Sequence, residues 1–395
     1  MSTVPASVLL VTPRWTRDGG VATHVKTSAA ALARAGVAVS VLAARVMSED
    51  APPGVSVHES PSLFDAGADA KERFGAALES RPDVIHLHQV DNPEIVTALR
   101  ASAPVVISAH GYSACSSGVY YFAPGQECTR GHGPACMSNM LLRGCAHTRH
   151  LHTLPARYGN ASRGLAALRA ADLVLAYSQA VDRHLAANGL SRRGVVPLFT
   201  TVTAQHGSGH DTRRRVVFAG RVVNAKGVDV LIRAARDVDG EFVICGDGHE
   251  LAQMRRLAGK LGIADRVSFK GWLDADDLAR ELAEASVVAV PSRWPEPFGL
   301  VGIEALAAGR PVVASATGGI LEWLEHGISG LAVPAGDAGA LAGALNELLG
   351  DPERQRSMGE AGKLRVERDF TAERHVAVLL DAYAGAIAGL ERAAA

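Results

Sequence analysis

The sequence predicts an α/β fold of two doubly wound, Rossmann-like domains, and three observations carry that prediction. A chain of 395 residues that is 48% hydrophobic and 21% charged is too long for one ordinary core and too apolar for disorder. Its apolar runs are short, rich in Val, Ile and Leu, and alternate with segments of helical period, the pattern of buried parallel strands joined by helices. A polar, glycine-containing stretch without period, 203–215, divides two such series.

Taken in order, 8–12, 37–43, 83–88, 104–110, 172–178 and 194–198 read as the strands of the first series. Between the first two, 21–35 reads as a helix with Val21, Val25, Ala29 and Leu32 on one face. The second series places strands at 215–220, 241–246, 266–271, 286–292, 311–315 and 330–334. The tail, apolar at Val376, Leu379, Leu380 and Tyr383, reads as a closing helix. The expected organisation is therefore 1–206, 207–370 and a helix over 371–395 that crosses back to the first domain.

Charge narrows the partners. With 40 Lys+Arg against 41 Asp+Glu the net charge is -1, which removes the whole-chain argument for nucleic acid. Arginine dominates the basic residues, in keeping with GC-rich bacterial coding. No apolar run approaches the ~20 residues of a membrane span, and the N-terminus lacks the basic and apolar regions of a signal peptide, so a cytoplasmic protein is expected. Positive charge gathers in 101–171, where Arg130, Arg143, Arg149, Arg157, Arg163 and Arg169 face one carboxylate, Glu127. This patch suits an anionic acceptor or an anionic membrane surface, or is a solvated helix face.

Ligands of doubly wound sheets bind beyond the C-terminal ends of the strands. After the strand at 215–220 come Arg221 and Lys226, two cations able to neutralise a diphosphate near a helix N-terminus, or else to sit in a solvated loop. After the strand at 286–292 comes RWPEPFGLVGIEALAAGRPVV, the most informative segment of the chain. Pro295 and Pro297 set an extended approach, Gly299 lets a helix start with open N–H groups, and Glu296 and Glu304 can each accept from sugar hydroxyls. The alternative there is a first-turn glutamate that merely complements the helix dipole. TGGILEW at 317–323 offers another glycine-rich helix start.

Four of the five cysteines, Cys115, Cys128, Cys136 and Cys145, fall in the segment 111–152 between two first-domain strands. Such crowding in a cytoplasmic protein favours a structural zinc, with His132 or His147 able to replace one thiolate. Without a CxxC pair, two disulfides or free thiols stay open.

The motifs occur in a fixed order: Gly19 and Gly20 after the first strand, His110 at a strand end, GRVVNAKG (220–227), CGDGHE (245–250), FKGWL (269–273), PEPFGLVGIEALAAGRPVVAS (295–315) and TGGILEWLEHGISGLAV (317–333). Over nearly its full length the chain resembles the retaining, nucleotide-sugar-dependent glycosyltransferases of family four. The resemblance implies a GT-B fold, two Rossmann-like domains facing a central cleft. It further implies that Arg221 and Lys226 grip a donor diphosphate, that Glu304 holds the ribose and that Glu296 binds the transferred sugar. Backbone groups of Phe298, Gly299 and Leu300 would lie against sugar and phosphate, Gly246, Trp272 and Leu273 near the base, and Gly19 and Gly20 toward the diphosphate from the other domain. His110 would meet the reacting sugar or the acceptor. His110, Glu296, Arg221 and Lys226 are thus the residues expected to carry the reaction. Asp274 and Asp276 are expected to open a helix, and no other Asp-x-Asp element stands in a suitable loop, so catalysis without a metal is expected. UDP is favoured over GDP, and the acceptor is a hydroxyl compound, anionic or lipid-linked, from natural-product or cell-envelope chemistry. The alternatives are a non-catalytic, zinc-stabilised sugar-nucleotide binding protein and a GT-B phosphorylase or epimerase.

Overall fold

A computed structural model describes residues 4–16, 19–47, 51–65, 68–116, 121–122, 126–145, 150–202 and 214–394. The chain divides into two compact units. The first comprises Met1–Tyr120, Cys128–Pro197 and Ala372–Ala395, and the second Tyr121–Glu127 and Leu198–Thr371. The division therefore falls at Pro197/Leu198, ahead of the polar stretch, most of which lies outside the described residues. The closing helix, Ala372–Ala394, groups with the first unit.

The strands, in chain order, are β1 Ser7–Trp15, β2 Ala38–Val46, β3 Val55–Glu59, β4 Val84–His88, β5 Val105–Ala109, the two-residue β6 Tyr121–Phe122 and β7 Gln126–Glu127, β8 Leu173–Ala176, β9 Arg193–Val195, β10 Arg215–Ala219, β11 Glu241–Cys245, β12 Val267–Gly271, β13 Val287–Val290, β14 Val312–Ser315 and β15 Gly330–Val333. The first unit carries a seven-stranded sheet in the order β3-β2-β1-β4-β5-β8-β9. The second carries a six-stranded sheet in the order β12-β11-β10-β13-β14-β15. Both are parallel throughout. In each sheet the order reverses beside the first strand of the unit, so the loops after β1 and β4, and after β10 and β13, border a switch point.

Strands buried on both faces favour apolar residues at most positions, and β4, β5, β10, β13 and β14 are buried along their whole length. β3 has no counterpart among the strands expected from sequence. It is an edge strand, buried at Val55 and open at Ser56 and Glu59, so its apolar signal is thin. The core of the second unit gathers Phe218, Val222, Leu231, Ile244 and Leu345 around its sheet. Several helices start on a side-chain cap, Asp69, Asn92, Ser178, Asp274, Asp337 and Asp351 each accepting a first-turn N–H. Asp274 thus opens the helix Ala275–Ala283, the role expected for it.

Candidate active site

Three helices start differently. Gly20–Arg34, Val228–Ala235 and Leu300–Ala307 have glycine N-caps, Gly19, Gly227 and Gly299, with φ of 96°, 68° and 92° and no side-chain cap. Positive φ is what glycine tolerates, and the missing cap leaves first-turn N–H groups open to an anion. Each of these helices follows the C-terminal end of β1, β10 or β13, where a ligand of this fold belongs.

In the second unit four strand-end loops lock together by close backbone contact. A Cβ at Gly246 would overlap the carbonyl of Gly220, one at Gly248 that of Val222, one at Gly227 that of Pro291, and one at Gly318 the backbone of Glu296. Hydrogen bonds tie the same loops: Val222 N–H donates to Asp247 O at 2.8 Å, Arg293 N–H to Ala225 O at 2.8 Å and Gly319 N–H to Glu296 O at 2.7 Å. The buried Trp323 supports this cradle from below, its indole N–H donating to Phe298 O at 2.7 Å.

Within the cradle, Lys226 Nζ lies 2.7 Å from Glu296 Oε1, and Ser292 Oγ donates to the same oxygen at 2.5 Å. Glu296 is buried, 2% exposed, so its charge depends on those two donors. The ammonium also stands 5.6 Å from the centre of the Trp294 ring. Arg293 pairs with Asp229 at 2.5 Å, fastening the loop that carries Glu296 to the helix behind Lys226. Arg221 is exposed, and among the described residues no carboxylate pairs with it. Burial pushes the Glu304 carboxyl up to about 7. Trp272 and Leu273 follow β12, the indole half exposed, and Gly246 is buried at the end of β11.

The first unit holds the other expected residues. Cβ atoms built at Gly19 and Gly20 would meet nothing, so the N-terminus of that helix is open to close approach. His110 ends β5 inside a group of five histidines that join β4, β5, the first helix and the closing helix. His86 Nδ1 meets Tyr383 OH and His86 Nε2 meets Ser108 Oγ, both at 2.7 Å. Ser108 Oγ meets Tyr177 OH at 2.6 Å, and Tyr177 OH meets His24 Nε2 at 3.0 Å. His375 Nδ1 donates to Pro197 O at 2.8 Å, and its Nε2 is 3.4 Å from Ser28 Oγ, which is also 3.4 Å from His24. His88 Nδ1 and His110 Nε2 are 3.0 Å apart. Burial is the leading cause that holds all five rings neutral, bringing His86 and His110 down to about 3 and His375 to about 4. His24 and His88 are likewise well below the usual range, burial being reinforced by neighbouring rings.

The structure thus brings Arg221, Lys226, Gly246, Trp272, Leu273, Glu296, Phe298 and Gly299 to strand-end loops of the second unit and Leu300 and Glu304 to the helix that follows Gly299, while Gly19, Gly20 and His110 lie at a helix start and a strand end of the first. Sequence reasoning missed Ser292 and Trp323, and also His24, His86, His88, Tyr177, His375 and Tyr383. The alternate histidines of DVIHLH were the available signal, since period two places both on one face of a buried strand.

Cys115, Cys128, Cys136 and Cys145 all lie in the first unit. Burial pushes Cys145 up to about 12 and raises Cys128, and the other thiols of the group raise both further. No disulfide joins them, and among the described residues no three His, Cys, Asp or Glu side chains converge to hold a metal ion. His147 lies outside the described residues, and His132 bonds to Ser116 at 3.1 Å and Ser162 at 2.8 Å.

Residues 18–199 match the family described as Glycosyltransferase Family 4, and residues 203–365 the family described as Glycosyl transferases group 1. The chain is 42% identical over 187 residues to D-inositol 3-phosphate glycosyltransferase of Salinispora tropica, covering 44% of this chain and 38% of that protein. It is 38% identical over 180 residues to GDP-mannose-dependent alpha-(1-6)-phosphatidylinositol monomannoside mannosyltransferase of Mycobacterium tuberculosis, covering 43% of this chain and 47% of that protein. The matches thus span less than half the length of these relatives. The crystal structure of Anabaena HepE in complex with UDP superposes with a TM-score of 0.68 at 18% identity, covering 95% of this chain and 98% of that one. No helix among the described residues is long and apolar enough to cross a membrane.

Proposed function

The chain belongs to the group 1 glycosyltransferases of GT-B fold, and on that premise we propose that it transfers a hexosyl or amino-hexosyl group from a nucleotide diphospho-sugar to a hydroxyl acceptor, with retention at the anomeric carbon. The observation that carries the reading is the cradle in which Lys226, Glu296 and the uncapped N-terminus at Gly299 meet, with Arg221 exposed at its edge. Transfer builds negative charge on the leaving diphosphate while the anomeric carbon becomes cationic. Fixed donors placed beforehand, here Arg221, Lys226 and the N–H groups of the first turn at Gly299, address that charge without reorganising at the moment of reaction.

Lys226 is paired with Glu296. A diphosphate competes with the carboxylate for the ammonium, and the sugar hydroxyls repay Glu296 with new donors. UDP is the favoured donor nucleotide, in keeping with the UDP complex of Anabaena HepE, while the mycobacterial relative is named as GDP-mannose-dependent. A phosphorylated or lipid-linked acceptor fits the arginines between 130 and 169 and the inositol phosphate and phosphatidylinositol named for the two relatives.

Purified protein incubated with UDP-, GDP-, ADP- and TDP-sugars, followed by thermal melting and by mass spectrometry of released nucleotide, tests the reading. One donor class is expected to raise Tm and to release nucleotide slowly. Stabilisation without release would support the non-catalytic binding alternative, and no stabilisation by any of the four would remove the donor assignment.

A further inference from the structure

His110 has two ring nitrogens, and the geometry decides which of them is left for a ligand. Its Nε2 lies 3.0 Å from His88 Nδ1, so one of the two carries the shared proton. His88 is 1% exposed, and its other nitrogen, Nε2, is buried with no hydrogen-bond partner. If His110 donated, neutral His88 would carry its proton on Nε2, leaving a buried N–H without an acceptor. If His88 donates through Nδ1, only an unused lone pair is buried. A buried N–H without a partner is the rarer of the two.

The ring has no freedom to escape this choice. His88 packs against His86 at 4.1 Å between centroids, the rings tilted by 38°, and His86 is held at both nitrogens by Tyr383 and Ser108. His110 packs against Tyr177 at 4.9 Å and His24 at 5.8 Å. Both members of the pair sit on neighbouring parallel strands, His88 closing β4 beside Ser108 and His110 following β5.

We propose that His88 is a positioning residue that donates from Nδ1 to His110 Nε2, fixing His110 as the Nδ1–H tautomer. His110 then meets its ligand as a hydrogen-bond donor to an oxygen, and its basic nitrogen is occupied, so it does not take the proton of the acceptor hydroxyl. What His110 touches rests on the glycosyl-transfer reading above; the tautomer does not.

The test pairs ¹⁵N-histidine NMR of the full chain with kinetics on the donor found in the panel. Wild-type His110, assigned by loss of its signals in His110→Gln, is expected as the Nδ1–H form. In His88→Phe it is expected to pass to the Nε2–H form that free imidazole prefers, with kcat down roughly 10- to 100-fold and donor KM little changed. An asparagine amide stands where the Nδ1 of histidine stood and a glutamine amide where Nε2 stood. His88→Asn is therefore expected to keep the tautomer and most of kcat, and His88→Gln to resemble His88→Phe. Once His110 is alanine, His88→Phe should cost nothing further. A wild-type His110 protonated on Nε2, or a tautomer that His88→Phe and His88→Gln leave unchanged, overturns the proposal. Unimpaired transfer by His110→Ala beside the expected NMR result would instead overturn the placing of His110 at the reacting groups and leave the pair standing.

Discussion

Lys226 and Arg221 differ in one respect that separates their expected phenotypes. Lys226 is held by a buried carboxylate at 2.7 Å, whereas Arg221 is exposed without one. Either alanine variant is expected to slow transfer by at least ~100-fold, the scale for losing one preorganised donor to a developing anion. Lys226→Ala should also lower the stability of the second unit, because it leaves Glu296 buried with Ser292 as its remaining donor. Steady-state rates together with urea midpoints check both, and a folded Lys226→Ala enzyme with normal turnover would sink the diphosphate assignment. Glu296→Ala reverses the logic. Removing the carboxylate frees the ammonium for phosphate, so affinity for the nucleoside diphosphate should hold or rise while sugar transfer falls. Equal loss of nucleotide affinity and of transfer would mean that Glu296 shapes the loop instead. Glu296 and Glu304 were legible because their motif is contiguous, with the two eight positions apart in a single segment. Ser292 and Trp294, only a few residues upstream, were not singled out, since nothing in a serine or a tryptophan alone tells that its side chain turns to Lys226 or Glu296.

At the scale of elements, the candidate site is a set of helix starts and strand ends held in place by glycines. Gly302 shows how strictly. It lies in the first turn of Leu300–Ala307, and a Cβ there would overlap the six-membered ring of the Trp323 indole. Trp323 is fully buried and bonds to Phe298 O, so pushing it aside moves the loop that carries Glu296. Gly302→Ala is expected to destabilise the second unit by about 1–3 kcal/mol, the range for overpacking a filled core, and to reduce transfer as well. Gly343→Ala is the control, since that helical glycine is exposed and a Cβ there meets nothing, and it should stabilise slightly. Urea titrations of both variants, read with turnover, settle the matter; a neutral Gly302→Ala would show that the indole has room to yield. Twelve strands were visible in the sequence, most of them because a strand buried on both faces is apolar at nearly every position. β3 escaped because an edge strand need not be. The histidine group escaped for another reason: His110 and His375 lie far apart in sequence, and nothing local to either tells that the closing helix packs beside β4 and β5.

For the molecule as a whole, the buried histidines make stability depend on pH in a direction that can be worked out. His86 and His110 are held neutral down to about 3, and His375 and His184 to about 4, with His24 and His88 also well below the usual value. In the unfolded chain the same side chains titrate near 6.5. A folded pKa below the unfolded one means that the unfolded state binds more protons throughout the interval between them. Stability contributed by the neutral rings is therefore present above about pH 6.5 and lost as the pH falls toward 4, each ring costing up to about 1.4 kcal/mol per pH unit. All six belong to the first unit. In the second unit Glu304 pulls the opposite way: burial raises its pKa, so its protonation near pH 7 favours the folded state as acid is added. Calorimetry of the full chain from pH 8 to 4 should then resolve one transition whose Tm falls steeply below pH 6.5 and a second that moves much less over the same range. Hydrogen exchange at pH 5 should place the early loss in Val84–His88, Val105–Ala109 and Ala372–Ala394. A first-unit transition that stays level between pH 7 and 5 would mean that the ring group takes up protons without coming apart, and that burial of these histidines is shallower than their environment implies.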